Sequence, residues 1–336
     1  DLPPPAPLRA PLWRRIVRRL GKTFWITVAL PTLLAAVYYG LMASDIYISE
    51  SRFVVRSPER AAPSGLGALL SSAGISRSHD DTYTVHGYTP GRFLLTQMAE
   101  LPFLGNSAES MSVAFSRVSG KYAEFAHEHP GVKVLTLFTH GPGIVFNTKR
   151  PITKADDLSG LKFRVGGGMV NEISKALGMN VTLKPAPESY ELLSTGVMDG
   201  TLFPAESVEG FKIDKVIKYA TTFPGGLYNT SFVFMMNQAK YDKLAPEDKR
   251  AVDEISGEVA ARIFGRGWDK VDRRAFALMQ ANGVVVTKAD AKFVNELKTK
   301  TNSLEQGWLK AAEAKGLKNP AKVLAEFRAE IAKLEK

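Results

Sequence analysis

KADDLSGLKFRVGGGMVNEISKALGMNVTLK, residues 154–184, holds one complete strand–turn–helix–strand unit. KADDLSGLKFRV (154–165) reads as a turn and then a strand that ends at Arg164 and Val165. Gly166-Gly167-Gly168 leads into the helix MVNEISKALG, and Gly178 stops it as a glycine C-cap does. VTLK (181–184) is the next strand. Two strands joined by a short helix imply parallel pairing, so this stretch places the chain among α/β folds.

The same alternation continues on both sides. Upstream, PGRFLLTQMAELPFLG precedes an expected helix over 107–128, the strand VKVLTLF (132–138) and the strand GIVFNT (143–148). Downstream come a short helix in ESYELLST, the strand VMDGTLF, a helix over 206–220 and the strand SFVFMMN (231–237). A long helix with Pro246 in its first turn extends to Ala281, GVVVTK (283–288) is a strand, and the remainder is helical. The expected architecture is a mostly parallel sheet with helices on both faces.

The chain has 336 residues and no cysteine, which removes disulfides, thiolate metal sites and cysteine nucleophiles together. The net charge is +10, but Arg9, Arg14, Arg15, Arg18, Arg19 and Lys22 face only Asp1 in residues 1–44. Basic and acidic residues alternate along the rest, so no basic, aromatic-interleaved face speaks for nucleic acid. From Thr23 to Ala43 the chain carries no charge, with Trp25 near one end and Tyr38 and Tyr39 near the other. About 20 apolar residues cross a hydrocarbon core, and aromatic rings favour its interfaces. Residues 23–43 are therefore expected to be a transmembrane helix behind a basic cytoplasmic tail (1–22), with everything after Asp45 extracytoplasmic by the positive-inside bias. A cleaved signal peptide is the competing reading.

Ligands of such sheets sit outside the carboxyl ends of the strands. That directs attention to Arg164, the glycine triplet and Phe203. A guanidinium matches a carboxylate through two parallel hydrogen bonds, and a following helix N-terminus adds N–H groups. A surface arginine beside a turn that merely needs glycine fits the same residues. The triplet is not a dinucleotide fingerprint, because Asn171 stands where the third glycine belongs. Asp199-Gly200 reads as a turn rather than half of an acid protease, and His127 and His129 as a solvated helix end. Glu188 and Glu191 are ordinary acids of a helix start. No catalytic constellation, metal site or cofactor motif stands out.

ELPFL (100–104), NTKRPITKADDLSGLKFRV (147–165), ESYELLSTGVMDGT (188–201) and LAPEDKRAVDEI (244–255) resemble the extracytoplasmic solute receptors (DctP-like) of tripartite ATP-independent periplasmic (TRAP) transporters. The resemblance covers about 87–336. It implies a two-lobed periplasmic-binding-protein-like (type II) fold closing over a small organic acid. It also implies delivery to a pair of integral membrane subunits that perform ion-coupled uptake. The family's carboxylate-binding arginine lies in the LKxRV motif, which carries it to Arg164. Sialic-acid-type receptors have a second arginine near Ile144 and an asparagine at the place of Phe203. Both departures imply a more apolar pocket, with Glu206 as the nearby polar group, and a monocarboxylate with an apolar or aromatic body. The expected ligand-binding set is Arg164, Phe203, Glu206, Gly166 and Asn147.

The resemblance lacks the family's first strands and helices, so the first lobe is expected to be incomplete. Instead DIYISESRFVVRSP (45–58) and SRSHDDTYTVH (76–86) resemble the start of capsule-polysaccharide export inner-membrane proteins of the chain-length-determinant type. The chain then divides into the tail 1–22, the membrane helix 23–43, a strand and linker over 44–86, and the solute-binding domain 87–336. It reads as a fusion near His86, natural or an assembly product. The expected function is a solute receptor at the inner membrane, facing the periplasm and without enzymatic activity. The alternatives are a polysaccharide-export component or a non-functional fusion.

Overall fold

Strand period fixes the frame. In β3 (Lys162–Val165) side chains alternate between faces, so Phe163 and Val165 enter one core while Arg164 points to the other side of the sheet. The computed structural model describes residues 93–336. The expected tail, membrane helix and linker therefore lie outside the described residues. No helix among the described residues is long and apolar enough to cross a membrane.

In chain order the elements are α1 (Ala108–Lys121), α2 (Ala123–His127), β1 (Val132–Thr139), β2 (Ile144–Asn147), β3, α3 (Met169–Ala176) and β4 (Asn180–Leu183). They continue as α4 (Ser189–Ser194), β5 (Gly200–Phe203), α5 (Ser207–Gly210), β6 (Tyr219–Thr222) and β7 (Ser231–Asn237). The chain ends with α6 (Gln238–Asp242), α7 (Pro246–Glu254), α8 (Glu258–Ala281), β8 (Val285–Lys288), α9 (Ala291–Ala314) and α10 (Pro320–Leu334).

Six strands form one sheet in the order β4-β3-β5-β2-β6-β8. The β3–β4, β3–β5 and β6–β8 pairs are parallel, whereas β2 runs antiparallel to both β5 and β6. The sheet is thus mixed rather than uniformly parallel, because β2 enters from the connection after β1 with no helix in between. Ile144 and Phe146 of β2 and Phe203 of β5 feed the core on one face, and Val145 and Leu202 feed the core on the other. β1 and β7 make a separate antiparallel ribbon, with Thr139 opposite Ser231 at one end and Val132 opposite Asn237 at the other.

Three expected helices are broken. The 107–128 helix divides at Tyr122, whose extended backbone separates α1 from α2. The 206–220 helix shrinks to α5 and a 3-10 turn, and its end becomes β6, which fills the place between β2 and β8. The 246–281 helix stops and restarts at Gly257, whose φ of +61° is open to glycine. The ribbon accounts for that position. Its register shifts between Val134 and Thr136, so Leu135 O is released to accept from Gly257 N (2.6 Å), while Thr136 Oγ1 donates to Gly257 O (2.8 Å).

α8 ties the ribbon to the rest. Asp269 accepts from the backbone N–H groups of Ala108 (2.6 Å) and Glu109 (3.1 Å), satisfying two of the orphan donors at the start of α1. Gly265 brings the two backbones together, since a Cβ there would lie 2.4 Å from Glu109 Cα. Glu258 at the head of α8 pairs with Arg117 and Arg262, and these two guanidiniums hold its carboxyl down at about 2.

Candidate functional site

The sheet supplies the first half of the site. β3 places Arg164 opposite Thr201 of β5, on the face that also carries Phe203. The arginine is 3 % exposed. Its Nε donates to Lys184 O at 2.7 Å, and its guanidinium carbon lies 4.6 Å from the Phe203 ring centroid. Both interactions fix the plane of the head group. The two terminal nitrogens have no acceptor among the described residues, and burial pulls the arginine down to about 10. Gly166 leaves room beside them, because a Cβ there would approach Nη2 to 3.4 Å. The geometry is a pre-oriented cation whose two outer donors lack a partner among the described residues, an arrangement that costs free energy unless an anion takes them.

Glu206 follows the end of β5. Ser207 Oγ donates to its Oε1 (2.6 Å), and burial raises its carboxyl above the ordinary range. Its backbone N–H donates to Asp272 Oδ1 of α8 at 2.7 Å. Asp272 is buried, and that burial pushes its carboxyl up to about 7.

The ribbon supplies the second half from its Thr139–Ser231 end. His140 follows β1 directly, and Tyr228 lies shortly before β7. Their rings meet edge to face at 5.6 Å. Tyr228 is buried within electrostatic reach of both Arg164 and Glu206, and burial raises its hydroxyl well above the usual range. An aromatic ladder runs outward from this pair. His140 lies 6.1 Å from Trp268, Trp268 5.9 Å from Phe232, Phe232 5.3 Å from Phe138, and Phe138 4.3 Å from Phe264. Close approach explains the glycines on either side of Pro142. A Cβ on Gly143 would sit 2.2 Å from the Tyr228 ring, and one on Gly141 would sit 1.8 Å from Asp272 Oδ2.

Of the residues expected from sequence, the structure gathers Arg164, Phe203, Glu206 and Gly166. Asn147 is not brought to this group. Its register partner is Gly200, at the other end of β5 from Phe203, and its Oδ1 accepts from Lys149 N and Arg150 N (both 2.9 Å) to close a turn. Asp199, just before β5, instead ties that strand to the start of β3, its carboxylate accepting from Lys162 N at 2.9 Å. His127 ends α2, and His129 stacks on Phe93 at 5.0 Å as a buried ring rather than a solvated one. His140, Tyr228, Trp268 and Asp272 escaped the sequence reading, because they come from connections and from one helical turn. The GPG step at 141–143 was the available signal.

The family model for bacterial extracellular solute-binding protein, family 7 (DctP), matches residues 79–312. The outer membrane transporter protein TsaT of Comamonas testosteroni is 32% identical over 274 residues, covering 81% of this chain and 80% of that protein. Among solved structures, a TRAP periplasmic solute-binding protein from Bordetella bronchiseptica with bound (R)- and (S)-mandelate is 45% identical, with a TM-score of 0.69, over 74% of this chain and 78% of that one. A TRAP solute-binding protein from Rhodoferax ferrireducens in complex with benzoate is 30% identical, with a TM-score of 0.68, over 75% and 78%. There is also an N-terminal likeness to capsule polysaccharide export inner-membrane protein BexC of Haemophilus influenzae, 51% identical over 84 residues; it covers 25% of this chain and only 22% of that protein. With an α/β solute-binding fold, a buried arginine at the strand ends and these matches, the chain belongs to the DctP family of TRAP solute-binding receptors.

Proposed function

We propose that this chain is the receptor of an ion-coupled TRAP uptake system and binds a small monocarboxylate with an aromatic body, clamped by Arg164. The observation that carries this reading is the buried guanidinium held by Lys184 O and Phe203, with its two terminal nitrogens lacking an acceptor among the described residues. A carboxylate would take both donors in the bidentate geometry that guanidinium favours. Phe203, Tyr228, His140 and Trp268 offer ring surface to the ligand's body, in keeping with the aromatic acids bound by the Bordetella and Rhodoferax receptors. Gly166 keeps the approach to the clamp open. The reaction class is binding and delivery to integral membrane subunits, and no bond is made or broken. The likeness to BexC, an inner-membrane protein, supports residues 23–43 as a single inner-membrane anchor with the solute-binding part in the periplasm.

Titration calorimetry with mandelate, benzoate and glucuronate tests the assignment. The two aromatic acids are expected to bind and the sugar acid to bind more weakly. A hydrogen bond to a charged group contributes about 1.5–3 kcal/mol, so Arg164→Ala is expected to lower affinity by roughly ten- to a hundredfold or more. Arg164→Lys restores little, because an ammonium cannot present two coplanar donors. Undiminished benzoate binding by Arg164→Ala would show that the arginine is structural.

A further inference from the structure

Tyr228 stands beside Arg164 from the ribbon side. Its main chain is tied to Gly143, just ahead of β2: Gly143 N donates to Tyr228 O (2.9 Å), and Leu227 N donates to Gly143 O (3.1 Å). A Cβ on Gly143 would stand 2.2 Å from its ring, and that ring meets His140 edge to face at 5.6 Å. The next residue, Ile144, is opposite Phe203, whose ring centroid lies 4.6 Å from the Arg164 guanidinium carbon. The phenol is therefore held at the same strand ends as the arginine, and each acts electrostatically on the other.

Tyr228 is 4 % exposed, yet its hydroxyl makes no hydrogen bond among the described residues. A buried tyrosine ordinarily finds a partner for that group, and leaving it without one costs free energy. Polar atoms that packing seals without a partner include Asn147 Nδ2 and Ser189 Oγ but not this hydroxyl, so it borders open space instead of packed side chains. The same holds for the two terminal nitrogens of Arg164. Burial keeps the phenol neutral, able both to donate and to accept. Two kinds of group thus face the space: a cation whose paired donors match a carboxylate, and a neutral hydroxyl that matches another hydroxyl. We propose that Tyr228 is a specificity-determining residue that exchanges a hydrogen bond with a hydroxyl on the ligand, so that the site prefers hydroxylated aryl carboxylates over the same acids without the hydroxyl. The inference rests on Arg164 being the carboxylate clamp. A ligand without the hydroxyl leaves the phenol buried and unpaired, and a site built to bond a hydroxyl rejects the analogue lacking it for that reason.

The test is titration calorimetry of the full chain with two matched pairs, mandelate against phenylacetate and 3-hydroxybenzoate against benzoate. The first pair places the hydroxyl beside the carboxylate and the second places it on the ring, so the pairs also distinguish where the phenol reaches. In at least one pair the hydroxylated acid is expected to bind about ten- to a hundredfold tighter than its partner. Tyr228→Phe keeps the ring and is expected to bring the two members of that pair within about twofold of each other, chiefly by weakening the hydroxylated one. A merely structural tyrosine would weaken both members alike, so a variant that keeps the parent's affinity ratio overturns the proposal. The parent can overturn it without any variant, by binding both members of each pair equally tightly; the clamp then still stands. Failure of all four acids to bind overturns the clamp, and the role of Tyr228 with it.

Discussion

The six-stranded sheet and the β1–β7 ribbon contribute to the same site in different ways. Every strand of the sheet core is braced on two sides, and Arg164 and Phe203 inherit that rigidity from β3 and β5. The ribbon has two strands, a register shift at Val134/Thr136, and an exposed Phe234. Its site residues, His140 and Tyr228, follow or precede strand ends and are held by ring packing against α8. The ribbon side also carries the buried acids that α8 and the first 3-10 turn bring in. In the proposed reading, the sheet holds the ligand's charge and the ribbon shapes what surrounds it.

That contrast predicts a ranking of effects. The largest belongs to the sheet. A Cβ on Gly200 would lie 2.5 Å from Phe146 O and 2.5 Å from the Phe163 ring, between β2 and β3. Gly200→Ala is expected to cost about 1–3 kcal/mol or more through overpacking, read as a lowered denaturation midpoint. A variant that melts like the parent would show the sheet to be no stiffer than the ribbon.

Next comes the ring beside Arg164. Phe203→Ala removes a cation–π partner worth about 0.5–2 kcal/mol together with apolar contact. Benzoate affinity is expected to fall about ten- to a hundredfold, with acetate-sized ligands affected less. Equal losses for both would assign Phe203 to positioning Arg164 alone.

The pH dependence of stability should belong to the ribbon side. Glu100, from the first 3-10 turn, accepts from Ser231 N (3.1 Å) and Ser231 Oγ (2.7 Å) at the start of β7, and burial raises it to about 7. Asp272 titrates at about 7 for the same reason. Both bind their protons more tightly folded than unfolded. Their contribution is therefore complete below the unfolded carboxyl range of about 4 and lost as pH rises through about 7. Tm should fall by several degrees between about pH 5 and pH 8, and Glu100→Gln should flatten part of that slope. A Tm that rises over this interval would place other groups in control.

The smallest effect is expected at the rim of the ribbon. Phe234 is 38% exposed and meets Phe264 edge-on at 5.2 Å. Phe234→Ser should change stability by less than about 1 kcal/mol and leave benzoate affinity unaltered, as equilibrium unfolding and titration would show. A cost equal to that of Gly200→Ala would erase the distinction between the two regions.

Residues 154–184 were enough to define the α/β class, the position of Arg164 at a strand end and the glycine turn after it, because strand and helix periods and glycine caps are local properties. Phe203 and Gly166 followed from the rule that ligands sit at carboxyl strand ends, and Glu206 from the family resemblance. Local pattern could not show that β2 runs against its neighbours, that 219–222 is a strand, or that Gly257 interrupts a helix to meet a shifted ribbon. Each depends on a hydrogen-bond partner far away in sequence. The same holds within the site. Tyr228 and Asp272 look like ordinary loop and helix residues until folding brings Gly143 and Gly141 against them. Asn147 looked available for a ligand until the 148–150 turn took its carbonyl. The sequence put an arginine, Arg164, at a strand end before a glycine turn, and the family resemblance singled it out. The burial of that charge, and of Tyr228 beside it, was decided by tertiary structure, because desolvation depends on which segments pack together rather than on which are neighbours in the chain.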